Sequence, residues 1–219
     1  MVTFDQIKNN SDIKEYIRRA DESLRAMGYT EHSFAHVGKV VDRVEYILAS
    51  LGYDERDIEL AKIAAYMHDI GNIVNRVGHC QSGAIMAFSL LDKLGMKAAE
   101  ISRIITAIGN HDEGAGYPID AISAALVLAD KADVRRSRVR NSDVSTFDIH
   151  DRVNYSAVES NLLFDDRKEN ITLELTIDCR YSSVMEYFEI FLDRMVLCRK
   201  AAERLGIKFC LVINGQRVL

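Results

Sequence analysis

His36, His68, Asp69, His79, His111 and Asp130 are the side chains of this sequence best suited to hold metal ions. Neutral imidazole suits Zn, Fe, Mn and Ni, and a carboxylate can offer its two oxygens to two ions, so an adjacent His-Asp pair can serve both members of a metal pair. That pair lies in the stretch Ala65-Tyr66-Met67-His68-Asp69-Ile70-Gly71-Asn72. A lone His on a helix is more often a structural residue, and Asp is common at caps and turns for local hydrogen-bonding reasons. Here four of the chain's six histidines fall in one ordered series, each near the end or on the face of a predicted helix. The series points to a two-metal site.

Helices must position these residues. Ser11 can cap a helix running to about Met27, with Ile13, Tyr16, Ile17, Ala20 and Leu24 on one face and Gly28 at its end. Val40, Val41, Val44, Ile47, Leu48 and Leu51 form the apolar stripe of the His36 helix, which stops at Gly52. A third helix from about Glu55 carries Ile58, Leu60, Ala61, Ile63, Ala64 and Met67 down to His68-Asp69, with Gly71 as its breaker. The pair thus sits at a helix C-terminus, where side chains can turn into a cavity. Further helices are predicted over about Gln81–Leu94, Ala98–Gly109 and Asp120–Arg138, the last introduced by the single proline, Pro118. Helical spacing would put Asp130, Asp133 and Ser137 on adjacent rows facing one cavity.

Beyond Asn141 the pattern changes. Asn154–Phe164 and Ile171–Ile177 alternate and read as a hairpin, Ser182 is positioned to cap a long apolar helix ending at Gly206, and Phe209–Ile213 reads as another strand before the turn at Asn214-Gly215. The expected fold is mainly α: a helical bundle over residues 1–142 and a small α+β appendage of three or four antiparallel strands and one helix over 143–219.

A chain of 219 residues, 48% hydrophobic and 28% charged, can bury a sizeable core. Its net charge of −5 and scattered basic residues exclude the electrostatic footprint of a duplex nucleic acid binder. The run Arg135-Arg136-Ser137-Arg138-Val139-Arg140 is the local exception and suits either a solvated face or phosphate. Cys80, Cys179, Cys198 and Cys210 lack metal-ribbon or disulfide spacing and read as reduced packing residues. With no signal-like N-terminus and no apolar run of ~20 residues, a cytoplasmic protein without a membrane partner is expected. The apolar final helix and sheet edge would serve as a homodimer surface.

The ordered motifs resemble the HD superfamily of metal-dependent phosphohydrolases. His36, within His32-Ser33-Phe34-Ala35-His36-Val37, looks like the first metal histidine of that family, His68-Asp69 like its namesake pair, and Leu128-Ala129-Asp130 with Arg136 like its closing Asp followed by an Arg that meets substrate phosphate. The resemblance covers roughly residues 30–140. Gly78-His79-Cys80-Gln81-Ser82-Gly83-Ala84 and Asn110-His111-Asp112-Glu113-Gly114 are similar to the added-histidine segments of bacterial HD-type diadenosine tetraphosphate hydrolases, which hold two metals. The cyclic-dinucleotide phosphodiesterases of the same superfamily carry a Lys where Asn72 stands and paired histidines where Asn110-His111 stands, which argues against their substrate.

The resemblance implies that His36, His68, Asp69 and Asp130 hold one divalent transition metal, and that Asp69 bridges to a second held by His79 and His111, the ions being Fe, Mn, Ni or Zn. Asp69 and His68 would be the catalytic pair, acting through metal-activated hydroxide on a nucleotide or other small phosphorylated metabolite. Arg136 would meet the phosphate, with Lys131, Asp133 and Glu113 as further substrate contacts, although each of these three also reads as an ordinary solvated residue. His32 suits a helix-entry contact or a supporting hydrogen bond, and His150 stands outside the series. Two alternatives stay open: the di-iron oxygenases of the same superfamily use a similar ligand set, and a metal-bearing sensor or scaffold could use the appendage to bind a ligand or partner.

Overall fold

The computed structural model describes residues 1–114 and 116–219. Among the described residues, seven α-helices form the N-terminal bundle: α1 (Phe4–Asn9), α2 (Ser11–Ala26), α3 (Phe34–Ser50), α4 (Glu55–Met67), α5 (His79–Lys93), α6 (Ala98–Gly109) and α7 (Ala121–Lys131). Helix α7 is its axis, because every side chain from Ile122 to Ala129 is buried. A helix that is apolar all round belongs inside the core. Helix α3 lays Val37, Val40, Val41, Val44, Ile47 and Leu48 into the same core and leaves its polar side to water.

The chain continues through α8 (Ile149–Ser156), β1 (Ala157–Phe164), β2 (Asn170–Ile177), α9 (Val184–Arg204), β3 (Lys208–Ile213) and β4 (Gln216–Arg217). The strands form one sheet in the order β1-β2-β3-β4. The fold is therefore mainly but not wholly α, as the bundle-plus-appendage pattern implies. The expected hairpin is β1 with β2, but β2 and β3 pair in parallel, from Asn170 opposite Lys208 to Leu175 opposite Ile213. The all-antiparallel expectation fails because the 21-residue α9 supplies the crossover that parallel neighbours require. Residues 154–156, read as strand, instead finish α8, whose Asp148 cap accepts the Asp151 N–H.

Caps shift by one residue from the sequence reading. Asn10 rather than Ser11 caps α2, accepting the N–H groups of Asp12 and Ile13. Ser183 rather than Ser182 caps α9, and Glu186 reciprocates in a capping box. The larger correction is at α7, which ends at Lys131 and not near Arg138. Beyond it, Asp133 turns to His36 Nδ1 at 2.8 Å, and Arg138 donates to the carbonyls of Glu31 at 2.8 Å and Asp133 at 2.7 Å. These buried polar contacts outweigh local helix propensity. Ser137, placed by helical spacing on the cavity row, is exposed and accepts from Arg135.

The C-terminal region is packed into the bundle. Tyr187, Phe191, Met195, Cys198, Ala201 and Ala202 of α9 join the same core cluster as α7. Arg43 of α3 donates to the Ser160 carbonyl, and the Tyr46 hydroxyl accepts the Phe164 N–H, so α3 covers part of the β1 edge. No helix among the described residues is long and apolar enough to cross a membrane.

Candidate metal centre

Helix ends build the site. His68 directly follows α4 and His111 lies two residues after α6, while Asp130 is in the last turn of α7. The final carbonyls of a helix have no partner within it, and here they receive imidazole N–H groups. His68 Nδ1 donates to the Ala65 carbonyl at 2.8 Å and His111 Nδ1 to the Ile108 carbonyl at 2.6 Å. His79, the first residue of α5, donates Nδ1–H to the Arg76 carbonyl at 3.0 Å, and His36 donates to Asp133. Each ring is thereby oriented with its Nε2 directed inward, the atom that would meet a metal. The converging C-termini of α4, α6 and α7 also bring partial negative charge to the place where cations would sit.

Two glycines permit this convergence. Gly78 adopts φ +73° at the start of α5, a left-handed conformation that costs glycine little. A Cβ on Gly71 would lie 2.0 Å from the His79 carbonyl oxygen and 2.4 Å from Gly83 N, so the turn after Asp69 can abut α5 only without a side chain.

The six side chains expected from the sequence meet in one cluster with two poles. At the first, His36 Nε2 lies 3.3 Å from Asp130 Oδ1 and 3.8 Å from Asp69 Oδ2, and His68 Nε2 lies 3.2 Å from Asp69 Oδ2 and 3.7 Å from Asp130 Oδ1. At the second, the other oxygen of Asp69, Oδ1, lies 3.6 Å from His79 Nε2 and 3.9 Å from His111 Nε2, which are 3.2 Å from each other. Asn72 fixes this division by donating to Asp69 Oδ1 at 2.8 Å and to the Asp69 carbonyl at 2.9 Å.

These donors fit a divalent metal. The Nε2 atoms of His36 and His68 are buried without a hydrogen-bond partner among the described residues, an arrangement that is costly unless something else occupies the lone pairs. The His79–His111 separation agrees with the roughly 3.3 Å between two nitrogens bound at about 2.0–2.1 Å to one tetrahedral ion. Subsets of the cluster, including His36, His68 and Asp130, place their ligand atoms within 4.8 Å of one another. Cys80, read as a packing residue, stands beside His79 and His111 in a further subset, although burial pushes its thiol up and so disfavours the thiolate.

The charges are mutually adjusted. Burial would keep His68 neutral, but the carboxylates of Asp69 and Asp130 outweigh it and raise the imidazole to about 10. Burial opposes charge on Asp69 and Asp130 too, yet His68 holds the first and Lys131, with His36 and His68, the second well below the ordinary carboxylate range. His111 is pushed down to about 3 by burial and then by the positive charge of His68, and burial likewise lowers His79. In the absence of metal, the positive charge rests on His68 at the first pole.

A cavity of about 500 Å³ opens over Asp69, His79, His111 and Asp130. Four cationic side chains line it: Arg76, Lys131, Arg138 and Arg194. Lys131 is buried rather than a solvated helix residue, with Nζ 3.0 Å from Asp130 Oδ2, 2.7 Å from Glu113 Oε2 and 3.3 Å from Asp112 Oδ1. Glu113 lines the cavity between Lys131 and Arg194. Two of the anticipated substrate contacts lie elsewhere. Asp133 is buried behind His36, where it orients the imidazole and pairs with Arg135 at 3.0 Å, and it does not line the cavity. Arg136 is also absent from the lining: its Nε donates to the Tyr155 carbonyl at 2.6 Å, and its guanidinium stacks on Tyr155 and Tyr181 and reaches Asp178 at 3.4 Å. Arg76 and Arg194 carry no signal in the sequence, whereas Arg138 belongs to the basic run after Asp130 that suits a solvated face or phosphate. His32, hydrogen-bonded to the Thr30 carbonyl at 2.7 Å, and His150 both line the cavity.

Residues 33–138 match the family model described as HD domain. That span contains all six candidate ligands and excludes α8, the sheet and α9. Over 160 residues the chain is 23% identical to Uncharacterized protein MJ1020 of Methanocaldococcus jannaschii, a match covering 63% of this chain and 61% of that protein's length. Among solved structures it is similar to the crystal structure of a predicted HD superfamily hydrolase from an uncultured Thermotogales bacterium, with 24% identity and a TM-score of 0.46 over 57% of this chain and 67% of that one.

Proposed function

We propose that the chain is a metal-dependent phosphohydrolase or phosphodiesterase that uses two divalent ions to cleave a nucleotide or another small phosphorylated metabolite. The observation that carries this reading is the division of Asp69: one oxygen faces His36 and His68, which also face Asp130, and the other faces His79 and His111. One carboxylate serving two donor sets is what a shared ligand requires. Divalent ions held there would polarise phosphoryl oxygens and acidify water at neutral pH.

The chain's own residues do the rest. Asn72 holds Asp69 in its divided orientation, and Asp133 keeps His36 Nε2 available as a donor. Lys131 compensates the charge of Asp130 at 3.0 Å and leaves its place beside Glu113 and Asp112 fixed. Arg138 brings a cationic guanidinium to the cavity, where the phosphoryl group of a substrate would lie, and Ile190 and Phe191 add apolar lining beside it.

The test is a phosphate-release screen of the chain loaded separately with Mn, Fe, Ni and Zn, over nucleotides, dinucleoside polyphosphates and phosphomonoesters. Release that depends on metal and is lost in His68→Ala is expected. Stoichiometric dioxygen consumption by the iron form with an organic substrate, and no phosphate release from any compound, would replace this reading with the oxygenase.

A further inference from the structure

Asp130 is divided as Asp69 is, but between a metal pole and the protein. Its Oδ1 lies 3.3 Å from His36 Nε2 and 3.7 Å from His68 Nε2, while its Oδ2 lies 3.0 Å from Lys131 Nζ. Lys131 is buried, so protein groups rather than water must satisfy its ammonium. The nearest is Glu113 Oε2 at 2.7 Å, followed by Asp130 and by Asp112 Oδ1 at 3.3 Å. Glu113 lies in the turn between α6 and α7 rather than on a helix, and its other oxygen, Oε1, accepts from Arg194 Nε at 2.8 Å. Arg194 belongs to α9, outside the span that matches the HD domain. Its guanidinium lies 4.3 Å from the centre of the Phe191 ring, which is buried in the core shared with α7. Four side chains therefore alternate in sign from the first pole to the C-terminal helix: Asp130, Lys131, Glu113 and Arg194.

Competition at the near end of this chain gives its far end a role. An ammonium and a metal ion on one carboxylate draw on the same negative charge, so Lys131 leaves Asp130 to a metal only while another carboxylate takes up much of its own charge. Glu113 does so at a shorter distance than Asp130, and Arg194 holds Glu113 in that place. Resting on the metal-dependent reading of the site, we infer that Arg194 is a positioning residue of the metal centre. Through Glu113 it limits the pull of Lys131 on Asp130 and keeps Asp130 Oδ1 available at the first pole. The centre is then completed by a helix beyond the residues that match the HD domain. The sign of the effect separates this role from charge alone. Removing a cation near a metal site should, by Coulomb attraction, leave the ion bound as tightly or more tightly. Losing the position of Glu113 should loosen it.

The test is Zn binding by the full chain, measured by competition with a chromophoric chelator, beside the visible absorption of the Co-loaded chain. Arg194→Met should lower Zn affinity about 10-fold, the lower end of what contacts supporting a ligand contribute, and alter the Co absorption, with helical circular dichroism preserved. Arg194→Lys, which can still donate to Glu113, should restore most of the loss. In a Glu113→Gln chain, whose affinity is already lowered, adding Arg194→Met should cause no further fall, because the link it acts through is gone. That double variant removes one charge of each sign and keeps the test in force if Arg194→Met alone does not fold. Affinity that is unchanged or raised in Arg194→Met overturns the inference, as does an equal fall in both backgrounds. Phosphate release enters none of these readouts. A chain that shows the expected losses and cleaves no phosphate compound keeps the positioning role and removes the hydrolase reading, so the two failures are distinguishable.

Discussion

His36 Nδ1 lies 2.8 Å from Asp133 Oδ2, a contact that joins residues 97 positions apart and leaves the buried Nε2 of His36 facing Asp130 and Asp69. Asp133 is held in turn by Arg135 at 3.0 Å and Arg138 at 3.7 Å. This arrangement makes Asp133 a residue that acts through His36. Replacing Asp133 with Ala should weaken metal binding about 10- to 100-fold and destabilise the fold by about 3–5 kcal/mol, since a buried charged partner is lost. Asp133→Asn keeps an acceptor and should lose less on both scales. Competition with a chelator and thermal unfolding measure the two effects.

Loading the metal-free chain should release protons in an uneven way. Asp69 and Asp130 hold His68 up at about 10, so its imidazole is charged at neutral pH and must lose a proton to become a ligand. His111, down at about 3, and His79, lowered by burial, are already neutral and release none. Proton release from His68, with none from His79 or His111, is therefore expected on loading at pH 7, read from calorimetric titrations in buffers of different ionisation enthalpy. The same raised value contributes stability to the metal-free fold that is complete below the ordinary value of 6.5 and is lost as pH rises through about 10. A metal-free chain whose stability does not fall over that alkaline window would contradict the assignment.

Gly71→Ala should be severe although the glycine φ is unremarkable. The added methyl would meet backbone atoms of His79 and Gly83 at 2.0 and 2.4 Å, and backbone cannot rotate aside. A cost of about 3 kcal/mol or more is expected, with loss of the second metal before the first because α5 carries His79. Chemical denaturation together with metal stoichiometry decides it.

Arg136→Ala and Arg138→Ala should separate cleanly. Arg136 supports the contact between α8 and the β2 end through Tyr155 and Asp178, so its loss should lower stability modestly, by about 1 kcal/mol, and leave KM for substrate near wild type. Arg138→Ala should raise KM, and it should also destabilise because the carbonyls of Glu31 and Asp133 lose their donor. Steady-state kinetics beside thermal unfolding distinguishes the two. A large KM effect at Arg136 would restore the contact that its position after Leu128-Ala129-Asp130 suggests.

The candidate ligands are legible because their spacing is local information. Each sits at a helix end or first turn that periodicity and glycines mark, as with Met67 followed by His68-Asp69 and Gly71, and as with the buried stripe that leads to Asp130. Of the cationic lining, Lys131 and Arg138 are marked by their closeness to Asp130, but Arg76 and Arg194 are not. Arg194 lies 81 residues beyond Glu113 and looks like any charged residue on an amphipathic helix until α9 is packed. The exchange of Arg136 for Arg138 has the same origin: helical spacing was continued through Asp133, whereas tertiary hydrogen bonds to His36 and Glu31 end α7 at Lys131. The parallel pairing of β2 with β3 was equally invisible to alternation, which reports faces and not direction.

His79→Ala and His111→Ala should each leave about one equivalent of metal and lower phosphate release by ~10- to 100-fold, because only Asp69 Oδ1 and one imidazole would remain at that pole. Wild-type metal content in both variants would remove the second pole from the account.

The most direct test of a centre joined by Asp69 is elemental analysis of the chain purified anaerobically, wild type beside Asp69→Ala. Two equivalents of divalent metal are expected in wild type. The variant, which deletes the carboxylate facing both poles but little core volume, should lose most of its metal while its helical circular dichroism is unchanged. An Asp69→Ala chain that still holds two equivalents would contradict the shared ligand and the two-pole site built on it.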